Sequence, residues 1–268
     1  MTKMNMRFSP NLNCIVGGRG TGKSTIVDAI NYGVCNEHDL SKCRLLEKTL
    51  TKDAKISTYF NFGSNKPYVI KASRKGKQIV TDVEDNNGSV ENPPEFKIDF
   101  YGQKEIFNLI DEDDNIANQT MIKVLPEDKL QIKIIDENGE IDINEGSPGQ
   151  KSAAILAFIL NSGENPLIID QPEDDLDNSL IYSLVVKSIR KMKSKRQIII
   201  VTHNPNIPVL GDAEGIIVLE RNNQGKVTFR KGKKAGCIEE KLIREGICEI
   251  MEGGEDAFRK RERKYQYN

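Results

Sequence analysis

The residues in this sequence with the clearest chemical capacity form a glycine-rich loop near its start. Residues 17–24 read Gly-Gly-Arg-Gly-Thr-Gly-Lys-Ser, which fits the pattern G-x-x-x-x-G-K-[ST]. Glycines let backbone N–H groups curl around phosphate oxygens, the lysine reaches the β and γ phosphates, and the serine hydroxyl binds Mg²⁺. The pattern predicts a nucleotide phosphate site formed by Gly17, Gly18, Arg19, Gly20, Thr21, Gly22, Lys23, Ser24 and Thr25.

A loop of this kind requires a strand before it and a helix after it, and the sequence predicts both. Residues 12–16 form a short apolar run, and a helical pattern extends from Lys23 to about Val34. Further along, we predict an amphipathic stretch at 37–50, antiparallel strands within 54–81, a loop at 82–95, a strand at 96–101 and a helix from Gln103 to about Ile110.

The sequence pattern in the second half of the chain predicts the strands and helices of a parallel sheet. A hairpin at 129–143 precedes an apolar helix at 150–161, a strand at 167–170, a helix at 178–193 and a strand at 197–201. The two strands are almost continuously apolar, which is typical of parallel strands covered on both faces. A hairpin at 216–230 and a charged helix at 238–264 follow.

A polar run beginning at Asp111 marks the predicted domain boundary. We divide the chain into an N-terminal lobe at 1–110, a linker at 111–128 and a C-terminal lobe at 129–268.

Composition excludes several classes of protein. The chain has 268 residues and a net charge of −1, so it is not a wholly basic nucleic-acid binder. No apolar run reaches the ~18 residues that a membrane span needs. The five cysteines form no CxxC pair and are odd in number, which indicates free thiols in a reducing cytoplasm.

Two further motifs carry candidate site residues. The strand Leu167-Ile168-Ile169 ends in Asp170, a carboxylate placed to hold Mg²⁺ together with Ser24. Ser147-Pro148-Gly149-Gln150 precedes the apolar helix and has two interpretations. It is either a helix-capping box or a helix start at which Ser147 and Gly149 face a γ-phosphate.

In order, these motifs resemble those of the ABC-type ATPases, specifically the RecF/RecN/SMC group. The resemblance implies a P-loop NTPase fold of the ABC-ATPase type, with a mixed sheet covered by helices, an antiparallel β lobe, and ATP and Mg²⁺ as ligands. It makes Gln103 the Q-loop glutamine near the metal, Ser147–Lys151 the signature, and Asp170 the Walker B carboxylate. It also makes Asp177 the D-loop residue and His203 the switch histidine. The segments GGRGTGKST, DQPEDDLDN and THNPNIPVLGDAE are most similar to TrlF-type AAA-like ATPases, some of which are linked to phage defence with nuclease partners.

Two departures from the family pattern affect the expected activity. Gln171 stands where the family has a catalytic glutamate, and an amide cannot accept the proton of the attacking water. Glu173 is the nearest candidate base, so we expect slow hydrolysis. The long coiled coil of SMC-type heads is also missing between Gln103 and Ser147.

The leading hypothesis is an ATP-binding head that forms a homodimer on ATP and acts on DNA or on a partner nuclease, without a membrane partner. Four basic clusters, at 71–77, 187–196, 230–234 and 259–264, are candidate DNA contacts. Two alternatives remain open: a nucleotide-binding subunit of a membrane transporter, and a switch module that binds ATP without hydrolysing it.

Overall fold

The structure is a computed structural model. It describes residues 4–34, 54–61, 67–75, 78–91, 93–103, 105–106, 133–136, 139–142, 145–174, 176 and 178–265. The predictions for 37–50, for the linker at 111–128 and for Asp177 lie outside the described residues.

The described strands are β1 (Leu12–Gly17), β2 (Lys55–Phe60), β3 (Tyr68–Lys75), β4 (Gln78–Asp85), β5 (Gly88–Ser89), β6 (Asp99–Tyr101), β7 (Lys133–Asp136), β8 (Gly139–Asp142), β9 (Leu167–Asp170), β10 (Ile198–Val201), β11 (Gly215–Arg221) and β12 (Val227–Phe229). The helices are α1 (Lys23–Val34), α2 (Pro148–Asn161), α3 (segments Asn178–Leu180, Ile181–Val186 and Lys187–Met192), α4 (Asn206–Leu210), α5 (Lys241–Met251) and α6 (Glu255–Lys264).

The chain divides into two compact units. One contains residues 1–21 together with 101–268, and the other contains residues 22–100. This division differs from the two lobes predicted from the polar run at Asp111, and the lobe boundaries remain a prediction.

A six-stranded mixed sheet with the order β12-β11-β1-β10-β9-β6 forms the centre of the larger unit. β1 pairs in parallel with β10 and β11, β10 pairs in parallel with β9, and only the β11–β12 pairing of these is antiparallel. Every residue of β1, β9 and β10 is buried. The predicted parallel strands covered on both faces are thus confirmed, and the predicted hairpin at 216–230 adds the antiparallel edge.

Apolar side chains explain why this sheet is covered. Buried residues of β1, β9, β10 and β11 share one core with those of α2, α3 and α5. In α2 the buried residues Ala153, Leu156 and Leu160 recur at helical spacing, so one side of the helix is apolar. Burial of such side chains contributes about 1.5–3 kcal/mol each, which makes this core the main stabilising element of the larger unit.

The smaller unit has a four-stranded antiparallel sheet with the order β2-β3-β4-β5. α1 packs on it through Gly33, where a Cβ would lie 3.6 Å from Ile56 Cγ2 and 3.7 Å from Ala72 Cβ. The predicted antiparallel lobe is therefore present. A further two-stranded hairpin, β7–β8, confirms the predicted hairpin at 129–143 for its described residues.

Four secondary-structure predictions need correction. The predicted loop at 82–95 is wrong at its start, because β4 extends to Asp85 and pairs with β3. The strand predicted at 96–101 is present only as the short β6. The helix predicted at 238–264 is two helices, since Gly253 and Gly254 have φ of 76° and 93° and end α5. The helix predicted at 178–193 contains a π-helical turn at Ile181–Val186.

Among the helices that the structure describes, none combines the length and apolarity needed to cross a bilayer. Cys14, Cys237 and Cys248 are free thiols, while Cys35 and Cys43 lie outside the described residues.

Candidate functional site

Parallel pairing gathers several predicted site residues at one edge of the six-stranded sheet. Ile15 of β1 is in register with Val201 of β10, and Val201 is in register with Asp170 of β9. On the other side, Gly17 is in register with Leu219. The glycine loop, the Asp170 carboxylate and the Thr202-His203 segment therefore all leave the sheet at the carboxyl ends of adjacent strands.

The first five residues of the glycine loop are tightly folded. A Cβ at Gly17 would lie 2.6 Å from Thr21 Oγ1 and 2.9 Å from the Leu219 carbonyl oxygen, so no larger residue fits there. The Thr21 hydroxyl donates to the Gly18 carbonyl at 2.9 Å. Gly20 and Gly22 have φ of 74° and 76°, a conformation that glycine adopts without strain.

The last residues of the predicted phosphate loop begin a helix. Lys23, Ser24 and Thr25 form the first turn of α1 in the smaller unit, and the N–H of Ile26 donates to the Gly22 carbonyl at 3.1 Å. Arg19 is exposed in the loop. The predicted order of strand, glycine loop and helix is thus present.

Asp170 and Gln171 lie at a sharp change of backbone direction. Asp170 is only 3% exposed at the end of β9. Gln171 has φ of 53°, in the left-handed region that non-glycine residues seldom occupy, and its N–H donates to the Val201 carbonyl at 2.8 Å. A strained residue held in this way turns the chain immediately, so that Glu173 falls back toward the end of β10.

Glu173 is the best-connected carboxylate among the described residues of this edge. It is 4% exposed, and its Oε1 accepts hydrogen bonds from Thr202 Oγ1 at 2.7 Å, from the His203 N–H at 2.6 Å and from the Asn204 N–H at 3.3 Å. His203 Nδ1 lies 3.1 Å from the same oxygen. Glu173 thus fixes the loop that carries His203.

The second oxygen of Glu173 has a different environment. Oε2 is buried and has no hydrogen-bond partner among the described residues. Burial raises the pKa of Glu173 above its ordinary value of 4.5, although the hydrogen bonds from Thr202 and the His203 backbone and the charge of His203 act in the opposite direction. A carboxylate with a raised pKa and an unused acceptor is suited to accept a proton or to bind water.

Gln103 joins the same group of side chains through the residue after Glu173. Its Nε2 donates to Asp174 Oδ2 at 2.9 Å, and Asp174 Oδ1 lies 3.8 Å from His203 Nδ1. Gln103, Glu173 and His203 are therefore brought together, although they are far apart in sequence. The contact of Asp174 with Gln103 was not predicted, because no local pattern pairs two residues at this separation.

The capping interpretation of Ser147 is confirmed. Ser147 Oγ accepts from the Gln150 N–H at 3.3 Å, Gln150 Oε1 accepts from the Ser147 N–H at 2.9 Å, and Pro148 begins α2. Ser147 remains exposed, so capping does not prevent its hydroxyl from meeting a ligand. The described residues contain no group of three or more His, Cys, Asp or Glu side chains arranged to hold a metal ion.

Comparison with known proteins defines the class of protein that these features belong to. The chain belongs to the AAA domain family AAA_23, whose family model matches residues 3–200. Its fold is similar to that of the SMC head domain from Thermotoga maritima, with a TM-score of 0.56 and 18% identity over 83% of this chain and 90% of that chain. The mixed P-loop ATPase fold with a separate antiparallel sheet is thus confirmed.

Two curated proteins are similar in sequence. The energy-coupling factor transporter ATP-binding protein EcfA2 of Mycoplasma capricolum is 27% identical over 232 residues, which cover 85% of this chain and 70% of that protein. The DNA double-strand break repair Rad50 ATPase of Thermoplasma volcanium is 29% identical over 105 residues, covering 38% of this chain and 12% of that protein.

Burial of Glu173 predicts a pH-dependent contribution to stability. Because its pKa is raised in the folded state, the folded protein holds this proton more tightly than the unfolded chain. The stabilisation is complete below about pH 4.5 and is lost as the pH rises through the folded pKa. Glu173→Gln should therefore gain stability relative to the parent as the pH rises above about 4.5, by at most about 1.4 kcal/mol per pH unit.

Urea unfolding across this pH range measures the effect. Glu164→Gln, at an exposed carboxylate, is the matched control for loss of one negative charge. A difference between parent and Glu173→Gln that stays constant with pH, or that changes in the opposite direction, would show that burial does not control this carboxylate.

Proposed function

We propose that this chain is an ATP-binding head that hydrolyses ATP slowly, forms a homodimer around two nucleotides and couples that dimer to DNA or to a partner protein. The observation that carries the proposal is the glycine loop between the buried strand β1 and α1, with Asp170 ending β9 at the same sheet edge. In the proposed complex, Lys23 contacts the β and γ phosphates, and the backbone N–H groups of residues 18–24 surround the α and β phosphates.

The oxygen donors proposed for the metal suit the chemistry of Mg²⁺. Magnesium needs few protein ligands, prefers oxygen and retains several waters, so a single buried carboxylate with a hydroxyl suffices. The buried, unpartnered Oε2 of Glu173 is an acceptor for such a water among the described residues. Ser24, Asp170 and the Gln103 side chain would hold the ion, which neutralises phosphate charge when bound.

For hydrolysis, we assign the base role to Glu173 and a water-orienting role to Gln171. The raised pKa of Glu173 makes it a stronger base than an exposed glutamate. His203 is assigned to the γ-phosphate, and its position depends on Glu173 through the bonds to the 202–204 backbone. Because Gln171 stands where the family has its catalytic glutamate, slow turnover is the expected result.

The Rad50 and TrlF resemblances support a role in DNA repair or phage defence, in the cytoplasm, with a nuclease or effector as partner. The EcfA2 similarity supports the second candidate, an ATP-binding subunit of a membrane transporter. The third candidate, a switch that binds but does not hydrolyse ATP, is supported by Gln171. Phosphate release at steady state separates the switch from the ATPase, and co-purification with a membrane protein would support the transporter.

Nucleotide binding should depend on Lys23. Lys23→Ala removes the lysine of the glycine loop that reaches the β and γ phosphates, so calorimetry should detect no ATP binding while the melting temperature stays close to that of the parent. Lys260→Ala, at an exposed lysine of α6, controls for loss of one charge. Retained ATP binding by a folded Lys23→Ala protein would refute the phosphate-loop assignment.

Dimerisation should require Ser147. In the proposed dimer, Ser147 and Gly149 of one chain meet the ATP bound by the other, in a two-fold arrangement. ATP at ~100-fold above its dissociation constant stabilises the closed dimer by up to about 2.7 kcal/mol. Ser147→Arg should abolish ATP-driven dimerisation in light scattering and leave ATP binding to the monomer intact.

Glu164→Arg, at an exposed position after the end of α2, is the control for the added arginine. A Ser147→Arg protein that still dimerises with ATP would leave Ser147 with only its capping role.

The basic cluster at 187–196 consists of two groups. Lys193 pairs with Asp212 and Glu214, and Arg196 is buried and donates to backbone carbonyls. The remaining members are exposed and form no ion pair within the described part of the chain; they are Lys187, Arg190, Lys191 and Lys195. We assign DNA phosphate contacts to this second group, which we call the α3 basic face.

Charge reversal on the α3 basic face should weaken DNA binding. Changing Arg190, Lys191 and Lys195 to Glu should lower affinity for duplexes of any sequence, because phosphates that these side chains neutralise are the same in every duplex. The slope of log affinity against log salt should decrease in magnitude by about 1 for each phosphate that is no longer neutralised. The matched variant reverses Lys260, Arg263 and Lys264 on α6. Equal weakening by both variants, or salt-independent binding, would contradict the assignment to α3.

A further inference from the structure

The guanidinium of Arg221 binds the glycine loop from a distant part of the chain. Arg221 ends β11, and its Nε donates to the Gly20 carbonyl oxygen at 3.1 Å, with a second, shorter bond from Nη2. Its Nη1 donates to the Gly225 carbonyl at 3.4 Å. One exposed side chain thus joins the top of the loop to the turn that follows β11.

This contact holds the middle of the glycine loop, between two other contacts. At its base, the loop is fixed by sheet pairing, because Gly17 is in register with Leu219. The Thr21 N–H and hydroxyl both reach back to the Gly18 carbonyl, at 3.4 and 2.9 Å. Gly20 lies between Gly18 and Thr21 in the left-handed conformation. Its carbonyl oxygen accepts hydrogen bonds from Arg221.

A phosphate-binding loop has to direct its N–H groups, and not its carbonyls, toward the anion. A loop carbonyl that faced the phosphates would repel them. A carbonyl that is hydrogen-bonded to a cation outside the loop cannot turn toward the phosphates without breaking its hydrogen bonds. The planar guanidinium donates from Nε and Nη2 to the same carbonyl oxygen, and these two converging bonds restrict rotation of the peptide more than a single donor does. Arg221 is placed to hold the peptide after Gly20 in the orientation that phosphate binding requires.

We propose that Arg221 is a positioning residue for nucleotide binding, which preorganises the glycine loop through the Gly20 carbonyl. This inference rests on the proposed function, since it assigns the loop to ATP. The role is distinct from phosphate contact: Arg221 acts on the loop backbone, and its charge is a secondary contribution. Because ATP and ADP share the α and β phosphates that the loop surrounds, both nucleotides should depend on Arg221 to the same extent.

Calorimetric titration of ATP and ADP into the parent, Arg221→Ala, Arg221→Lys and Lys226→Ala tests the proposal. Arg221→Ala should weaken both nucleotides by about tenfold, which corresponds to about 1.4 kcal/mol, with a melting temperature within a few degrees of the parent. Arg221→Lys should recover part of this affinity, since an ammonium can donate to Gly20 but cannot form the paired bonds. Lys226→Ala removes an exposed positive charge from the same hairpin and should leave affinity unchanged.

The outcomes separate this inference from the function on which it rests. A parent protein that binds no ATP would overturn the proposed function itself. A parent that binds ATP, with Arg221→Ala binding equally well, would overturn the role of Arg221 alone. Equal weakening by Lys226→Ala and Arg221→Ala would show a general charge effect and also overturn it. If Arg221→Ala does not fold, Arg221→Lys provides the test. It should bind both nucleotides more weakly than the parent and Lys226→Ala do, and equal binding would overturn the role of Arg221.

Discussion

Parallel pairing of β1 with β10 and β11, and of β10 with β9, is the constraint on which the rest of this structure depends. It places Gly17, Asp170 and Val201 at the carboxyl ends of neighbouring strands, so that the loops leaving β1, β9 and β10 carry candidate site residues. The pairing is stable because β1, β9 and β10 are fully buried in one apolar core. Without that register, the glycine loop and Asp170 would be unrelated local motifs.

Hydrogen bonds of Glu173 and Asp174 connect the loops that leave this edge of the sheet. Glu173 holds the backbone of residues 203 and 204, and Asp174 holds Gln103, so two consecutive carboxylates connect segments that sequence places far apart. Burying Glu173 costs solvation, which its three donors only partly offset, as the raised pKa shows. Such a cost is typical of sites where function, and not stability, determines the residue.

Local patterns predicted the parts of this site that depend on neighbouring residues. The glycine loop, the apolar strand ending in Asp170 and the Ser147–Gln150 capping box all follow from short spacings in the sequence. The contacts of Glu173 with Thr202 and of Arg221 with Gly20 join residues that are 29 and 201 positions apart, and they depend on strand register that no local pattern contains. Similarly, the glycine and asparagines after Asp85 indicated a loop at 82–95, while pairing with β3 extends β4 into it.

Binding of ATP with Mg²⁺ at the carboxyl edge of β1, β9 and β10 is the proposal on which the other assignments rest. Hydrogen–deuterium exchange of the whole chain, with and without Mg²⁺-ATP, is its most direct test because it reads every loop at once. We expect ATP to increase protection from exchange in residues 17–24, 170–174 and 202–204. Exchange at the exposed turn 222–225 should not change. Protection confined to other segments, or no change at saturating Mg²⁺-ATP, would contradict the proposal.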